Sequence, residues 1–354
     1  MRGKPGSYCR LFLGVRFPLT IRFISTGTMP SNEPTTVVAS QPTIPVEAFI
    51  IETFAYKVIQ GQPILLDLWV PKNLPSGERP VILRFHGGYL VCGSRDNLQL
   101  TPPRIIQYAL DNKLILVSCD YRLLPESSGK GILEDIEDLW SWVHGRLQQA
   151  LEVMTNGRNT ADLQRVLLAG ESAGGYLALQ LALSHPTAIR AVIASYPMID
   201  MQNRHFSEVY PKQMGQYPQI EYGVVAQHLS QLPDGIHPTT RAVSNLPIAI
   251  IQHGLYQRFL GDHRSLYPIA RLEDDPELAH KLPFIWLHHG TNDSEVPIDG
   301  SRKFVEKLRG LNPKAQLRYK ELEGMEHGVS SEIYLIQSGE WDEGAKCVNG
   351  LLFD

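Results

Sequence analysis

GESAG at residues 170–174 stands between an apolar run that ends at Ala169 and a run of helical periodicity through Leu177 and Leu181. It matches GxSxG in a strand, turn and helix setting, where a sharp turn lifts the serine hydroxyl above a sheet. The helix N-terminus behind the turn offers the backbone N–H of Ala173 to a developing oxyanion. The stretch therefore predicts that Ser172 is a nucleophile carried on a sheet with flanking helices.

A second motif, HGGY at residues 86–89, ends an earlier apolar run. Small residues at this point let the backbone approach a ligand and present N–H groups to it. We predict that the N–H groups of Gly87 and Gly88 complete an oxyanion hole with that of Ala173. His86 is interpreted as a residue that orients the loop and not as the catalytic base. The alternative is a glycine turn without chemistry.

The pattern of apolar runs indicates the α/β class. Runs with strand character occur at 49–56, 63–70, 80–85, 114–119, 165–169, 190–196, 247–252, 283–288 and 316–322. Helical patterns, such as 131–144, lie between the later runs. Early strands that can pair as hairpins, followed by alternating strands and helices, predict a mostly parallel sheet covered on both faces. Apolar runs followed by QHG at 252–254 and HHG at 288–290 leave the register between 247 and 288 open.

The chain divides into an N-terminal extension, 1–48, and a catalytic domain, 49–354, with a cap insertion around 200–245. Residues 1–28 carry basic residues, serines and threonines and no acid before Glu33, a composition typical of a transit peptide. Met29 precedes a proline-rich stretch, so an untranslated or disordered extension is the other interpretation. The four scattered cysteines fit a reducing setting. We expect a cytoplasmic protein, or a mitochondrial one if 1–28 is a transit peptide.

Composition and missing motifs exclude several classes of function. The formal charge of −4, without a basic stripe, argues against nucleic acid as a partner. The apolar run 11–24 is interrupted by Arg16 and Arg22 and is shorter than the roughly 20 residues of a membrane span. The chain lacks HExxH, GxGxxG after a first strand and GxxxxGK[ST]. We therefore expect no metal and no organic cofactor.

Three motifs together carry a family resemblance. HGGY at 86–89, DYRLLPE at 120–126 and GESAGG at 170–175 resemble the hormone-sensitive-lipase-like branch of the α/β hydrolases, over about residues 50–335. The resemblance implies an eight-stranded sheet with a cap and the chain order oxyanion loop, serine, acid, histidine. Tyr89 stands where many members have a third glycine, which is expected to reshape the acyl pocket or its access to bulky alcohols. Glu171 is expected to support the site, and Asp120, Tyr121 and Arg122 to be structural.

The resemblance also nominates the acid and the base. It places the base after the last strand, where His327 lies within EGMEHG at 323–328, and the acid in GTND at 290–293, which makes Asp293 the choice. Glu295 and Asp299 are nearby alternatives for the acid, and Asp262 is a weaker one. His288 and His289 are interpreted as packing groups or as supports behind the site.

These residues predict a serine hydrolase that cleaves a carboxylic ester of a small molecule through an acyl-enzyme on Ser172. The bond could instead be an amide, a thioester or a lactone. The alternatives from other classes are a non-hydrolytic small-molecule-binding protein and a dehydratase or lyase of the same fold. The partner is a small-molecule ester, and the protein is expected to be a monomer or a homodimer.

Overall fold

The computed structural model of the protein describes residues 44–98, 101–232 and 245–353. Within these ranges the β-rich runs form one eight-stranded sheet. The strands are β1 (Phe49–Ile59), β2 (Gln62–Pro71), β3 (Gly77–Phe85), β4 (Ile115–Cys119), β5 (Asn159–Glu171), β6 (Ala191–Ser195), β7 (Phe284–Gly290) and β8 (Leu317–Leu322). The helices are α1 (Pro103–Asp111), α2 (Gly129–Gly145), α3 (Leu147–Thr155), α4 (Ala173–Ser184), α5 (Arg204–Ser207), α6 (Gly223–Ser230), α7 (Leu246–Gln252), α8 (Tyr256–Leu260), α9 (Pro268–Asp274), α10 (Leu278–Lys281), α11 (Asp299–Leu311), α12 (Val329–Gln337) and α13 (Glu340–Phe353).

The strand order is β1-β2-β4-β3-β5-β6-β7-β8. β2 pairs antiparallel with β1 and with β4, and the other neighbouring pairs are parallel. The sheet buries both faces, as the alternation along β3 shows: Val81 and Leu83 pack into one apolar cluster and Ile82 into the other. The predicted α/β class, with a mostly parallel eight-stranded sheet flanked by helices, is confirmed.

The parallel strands bring their carboxyl ends to one edge of the sheet. β3 ends one residue before His86, and β5 ends one residue before Ser172. Asp293 follows the end of β7, and His327 follows the end of β8. Residues that are far apart along the chain therefore meet at this edge.

The interpretation of 247–252 as a strand is wrong. These residues lie in α7, with Pro247 in the first turn, where the fixed φ of proline suits a helix. Every residue of α7 is buried, so its sequence shows an unbroken apolar run without helical periodicity. A short apolar run cannot distinguish a buried strand from a buried helix.

The expected cap begins with the short helices α5 and α6 and lies partly outside the described residues, which omit 233–244. The expectations for residues 1–43 of the extension lie outside them as well. In the described part of the chain, no helix combines the length and the apolar character that crossing a membrane requires.

Candidate active site

Ser172 occupies a tight turn between β5 and α4. Its backbone has φ +56° and ψ −117°, a conformation that non-glycine residues rarely adopt and that is found at functional sites. Glycines on either side make the turn possible. A Cβ on Gly170 would lie 2.1 Å from the carbonyl oxygen of Gly174, and one on Gly174 would lie 2.0 Å from that of Phe85. The GESAG motif therefore forms the strained turn that its sequence predicts.

The HGG loop lies directly against this turn. A Cβ on Gly87 would be 3.5 Å from Cβ of Ser172 and 3.1 Å from the carbonyl oxygen of Glu171. Gly88 has φ +109°, and a Cβ there would lie 2.1 Å from the carbonyl oxygen of Cys92. The structure thus brings Gly87 close to Ser172, which directly precedes Ala173, the first residue of α4.

His86 is buried beneath the loop. Its ring stacks on Tyr121 with centroids 4.2 Å apart, and its Nδ1 lies 2.7 Å from the carbonyl oxygen of Gly87. The hydroxyl of Tyr121 donates to the carbonyl oxygen of His86 at 2.7 Å. Burial lowers the pKa of His86 to about 3, so the imidazole is neutral in ordinary buffers. These contacts suit a residue that holds the loop in place.

Asp293 and His327 form a hydrogen-bonded pair. Nδ1 of His327 lies 2.6 Å from Oδ2 of Asp293. Oδ1 accepts the backbone N–H groups of Glu295 at 3.0 Å and Val296 at 2.7 Å. Burial opposes ionisation of Asp293, but the charge of His327 and hydrogen bonds from His289 and His327 outweigh it and lower the Asp293 pKa. The carboxylate is therefore ionised beside the imidazole.

The pKa of His327 moves in the opposite direction. Burial acts to lower it, but the charge of Asp293 and the hydrogen bond that His327 donates to that carboxylate raise the pKa above its ordinary value. Both effects stabilise an imidazolium that has taken up a proton. The pair is thus suited to accept a proton from a hydroxyl and to return it later.

His289 is a second imidazole on the same carboxylate. Its Nε2 lies 3.0 Å from Oδ2 of Asp293 and 2.9 Å from the carbonyl oxygen of Val296. Its Nδ1 contacts the hydroxyl of Ser301 at 2.7 Å. His289 therefore orients the carboxylate, in keeping with its interpretation as a support. Its neighbour His288 contacts the hydroxyl of Ser195 at 3.0 Å.

The other acids nominated from the sequence do not meet His327. The side chain of Glu295 accepts a hydrogen bond from the hydroxyl of Tyr89. Asp299 is exposed and pairs with Arg302, and Asp262 is exposed in the loop after α8. Among the nominated acids, the structure joins Asp293 to the imidazole.

Ser195 and Tyr196 link the serine turn to the histidine loop. The N–H of Ser172 donates to the carbonyl oxygen of Ser195 at 2.9 Å. The ring of Tyr196 meets that of His327 edge to face, with centroids 4.7 Å apart. The described residues show no hydrogen bond between the Ser172 hydroxyl and His327, and such contacts are often long before substrate binds. The sequence analysis did not single out Tyr196. Its position directly after β6, at the edge of the sheet that carries the site, could have indicated it.

Buried polar contacts hold the residues next to the site motifs in place. Glu171 accepts a hydrogen bond from Arg84, and burial raises its pKa against the opposing charge of that arginine. Arg122 donates a hydrogen bond to Asp135 at 2.9 Å, and Asp120 accepts one from the side chain of Arg95 at 2.7 Å. In the described residues, no group of three or more His, Cys, Asp or Glu side chains is arranged to hold a metal ion.

Comparison with known proteins agrees with this geometry. The model of the α/β-hydrolase fold family matches residues 82–331, so the chain belongs to that family. It is 28% identical over 299 residues to a probable carboxylesterase, M8, of a Phoma species, which covers 81% of this chain and 91% of the relative. It is 26% identical to the non-reducing polyketide synthase Preu6 of Preussia isomera, over 73% of this chain and 13% of the synthase. A thermostable esterase from Pseudomonas putida shares the fold, with a TM-score of 0.57 at 18% identity, over 88% of this chain and 84% of the esterase.

Proposed function

We propose that the protein is a carboxylesterase-type serine hydrolase that cleaves an ester of a small molecule through an acyl-enzyme on Ser172. The observation that carries this proposal is the 2.6 Å contact between His327 and the buried carboxylate of Asp293, at the sheet edge where the strained turn presents Ser172. The family relationship supports it, as does similarity to M8, a probable carboxylesterase.

In the first half-reaction, Nε2 of His327 accepts the proton of the Ser172 hydroxyl as the oxygen attacks the ester carbonyl. The carbonyl electrons move onto oxygen, and the N–H groups of Gly87, Gly88 and Ala173 stabilise that oxyanion. The C–O bond to the alcohol then breaks, and His327 returns the proton to the departing alcohol. The acyl group remains on Ser172.

Water completes the cycle. His327 takes a proton from the water as its oxygen attacks the acyl-enzyme, and then returns the proton to Ser172 as the carboxylic acid departs. Asp293 stays ionised throughout, because the charge of His327 and its two imidazole contacts keep its pKa low. Its role is to fix the tautomer of His327 and to stabilise the imidazolium.

The likeness to a segment of a polyketide synthase supports a second candidate substrate. Here the same serine chemistry acts on an ester or thioester of a polyketide-derived acid. The machinery of Ser172, His327 and Asp293 is the same for both bonds. A matched ester and thioester of one acid, compared by kcat/KM, separates the two candidates.

The test of the proposal uses a fluorophosphonate probe and a series of p-nitrophenyl esters. We expect the wild-type protein to be labelled and to release p-nitrophenol, and Ser172→Ala to lose both. Ser141→Ala, at an exposed serine in α2, is the matched control and should keep both. A folded wild-type protein that is neither labelled nor active would refute the proposal and favour a non-hydrolytic function of the fold.

A further inference from the structure

A hydrogen bond joins the predicted oxyanion loop, residues 86–89, to the loop after β7 that carries Asp293, here called the acid loop. The hydroxyl of Tyr89 donates to Oε2 of Glu295. Tyr89 directly follows Gly88, and Glu295 lies two residues after Asp293. An ester must contact the oxyanion loop and Ser172, and His327 contacts Asp293 of the acid loop. This bridge therefore borders the space that the ester would occupy.

Both partners of the bridge are held by other contacts. Tyr89 is 8% exposed and has φ +60°. Its carbonyl oxygen accepts a hydrogen bond from the hydroxyl of Tyr256 at 2.5 Å. The N–H of Glu295 donates to Asp293, and its carbonyl oxygen lies 3.1 Å from Nε2 of His205. The backbone on both sides of the bridge is therefore held in place before any substrate arrives, which lowers the entropic cost of recognition.

The second carboxylate oxygen of Glu295, Oε1, is able to accept a further hydrogen bond. Oε1 of Glu295 accepts no hydrogen bond from the described part of the chain, and no lysine or arginine there pairs with the side chain. The neighbouring residue is Gly215, where a Cβ would lie 2.7 Å from Oε1. Because Gly215 has no side chain, its backbone lies close to this oxygen without a clash. An ionised carboxylate only accepts hydrogen bonds, so Oε1 favours a substrate group that donates one.

Aromatic rings adjoin the carboxylate. Tyr217 is 41% exposed, and burial, followed by the charge of Glu295, raises its pKa. That charge also contributes to the raised pKa of His327, which places the carboxylate near the acid–base pair. Tyr89 and Tyr217 offer ring faces and edges on which an aromatic substrate can pack.

We propose that Glu295, positioned by Tyr89, determines specificity by accepting the hydroxyl group of an aromatic ester on Oε1. The inference rests on the proposed esterase function and names its substrate class as hydroxyaryl esters. The same carboxylate disfavours esters that carry an acidic group, because two nearby negative charges repel each other.

The test compares ester pairs that differ by one hydroxyl. Methyl 3-hydroxybenzoate against methyl benzoate places the hydroxyl on the acyl side. 3-Hydroxyphenyl acetate against phenyl acetate places it on the alcohol side. We expect the kcat/KM ratio in at least one pair to fall about ten-fold in Glu295→Gln, mainly through KM, since a hydrogen bond to a charged group is being weakened. Comparing ratios between variants cancels the intrinsic reactivity of each ester.

Two further variants sharpen the test. Asp299→Asn removes an exposed carboxylate four residues away and should leave both ratios at their wild-type values. Tyr89→Phe removes the donor to Oε2 but keeps the carboxylate, so the hydroxyl preference should fall by less than in Glu295→Gln. Hydrolysis of 3-carboxyphenyl acetate relative to phenyl acetate should rise in Glu295→Gln.

The outcomes separate this inference from the esterase proposal. If Ser172 is labelled and the ester pairs turn over, but Glu295→Gln leaves every ratio unchanged, the specificity role is refuted and the esterase stands. An equal loss of kcat/KM on both members of each pair, with an altered pH profile, would also refute the specificity role. It would show that Glu295 acts through the pKa of His327. Failure of the wild type to react with the probe or with any ester would remove the esterase proposal and this inference with it.

Discussion

Oδ2 of Asp293 lies between two imidazoles, 2.6 Å from Nδ1 of His327 and 3.0 Å from Nε2 of His289. Its other oxygen is held by two backbone N–H groups. A buried carboxylate with four such contacts has little freedom to rotate, so the orientation of His327 is set before substrate arrives.

Replacing Asp293 by asparagine tests whether this carboxylate supports catalysis. We expect kcat to fall by about 10⁴-fold, the loss seen when an amide replaces the aspartate of a serine triad, because the wrong tautomer of the histidine is then favoured. Rates of p-nitrophenyl acetate hydrolysis measure it. Asp299→Asn serves as the control, and circular dichroism checks that both variants fold. Retention of more than a tenth of the wild-type kcat would exclude Asp293 from the triad.

Activity should depend on pH through His327. The pKa of this group is raised above 6.5 because the Asp293 charge and hydrogen bond outweigh burial. We expect kcat/KM to fall as pH drops through that raised pKa, because the protonated ring cannot accept a proton from Ser172. A profile of kcat/KM between pH 5 and 9 measures the midpoint. In Asp293→Asn the midpoint of any residual activity should move to lower pH, and an unchanged midpoint would contradict the assignment.

The same shift has a consequence for stability. A histidine whose folded pKa is raised contributes stability that is complete below its unfolded pKa and is lost as pH rises through the folded value. The pair of His327 and Asp293 therefore stabilises the fold most under mildly acidic conditions. This is the range in which the proposed base is protonated and inactive.

Gly174→Ala should destabilise the fold severely. The new methyl group would lie 2.0 Å from the carbonyl oxygen of Phe85, a backbone atom that cannot move aside alone. Overpacking of this kind costs about 1–3 kcal/mol or more of the free energy of unfolding. The matched control is Gly310→Ala in α11, where the added Cβ meets nothing within 4 Å and should stabilise by about 0.5–1 kcal/mol. Urea unfolding of both variants tests this, and equal effects would contradict the steric argument.

Glu332 should make stability fall as pH rises. It is 8% exposed, and burial, followed by the charge of Glu171, raises its pKa from 4.5 to about 8. Between these values the folded state keeps a proton that the unfolded state releases, so the free energy of unfolding declines with pH. Glu332→Gln cannot titrate. Its stability relative to wild type should therefore increase from pH 5 to pH 8 in urea unfolding, and a constant difference would show that this carboxyl ionises freely.

The serine turn and the HGG loop could be predicted from sequence because their requirements are local. Gly170, Gly174 and Gly88 stand where a Cβ would strike the backbone, so the motif itself encodes the geometry. The α/β class was readable for a similar reason, since strand and helix periods differ. Residues 247–252 were misread because α7 is buried on every side and shows no period.

The support for the site was less accessible from sequence. The bond of Tyr89 to Glu295 spans 206 positions, and the ring contact between Tyr196 and His327 joins the loops after β6 and β8. No local pattern encodes such pairs, because they depend on which loops the strand order brings together. The contact of His289 with Asp293 is an exception, as they stand four positions apart, His289 near the end of β7 and Asp293 just after it.

By itself, the sequence determined most of the strands and helices and the turn that carries Ser172, because strand alternation, helical spacing and glycine at crowded positions are properties of neighbouring residues. The tertiary structure decided which acid meets the imidazole. Asp293, Glu295 and Asp299 all follow β7 within ten residues, yet Asp293 alone among these three contacts His327, 34 positions away. That choice depends on the adjacency of β7 and β8 in the sheet and on the backbone N–H groups that turn one carboxylate inward.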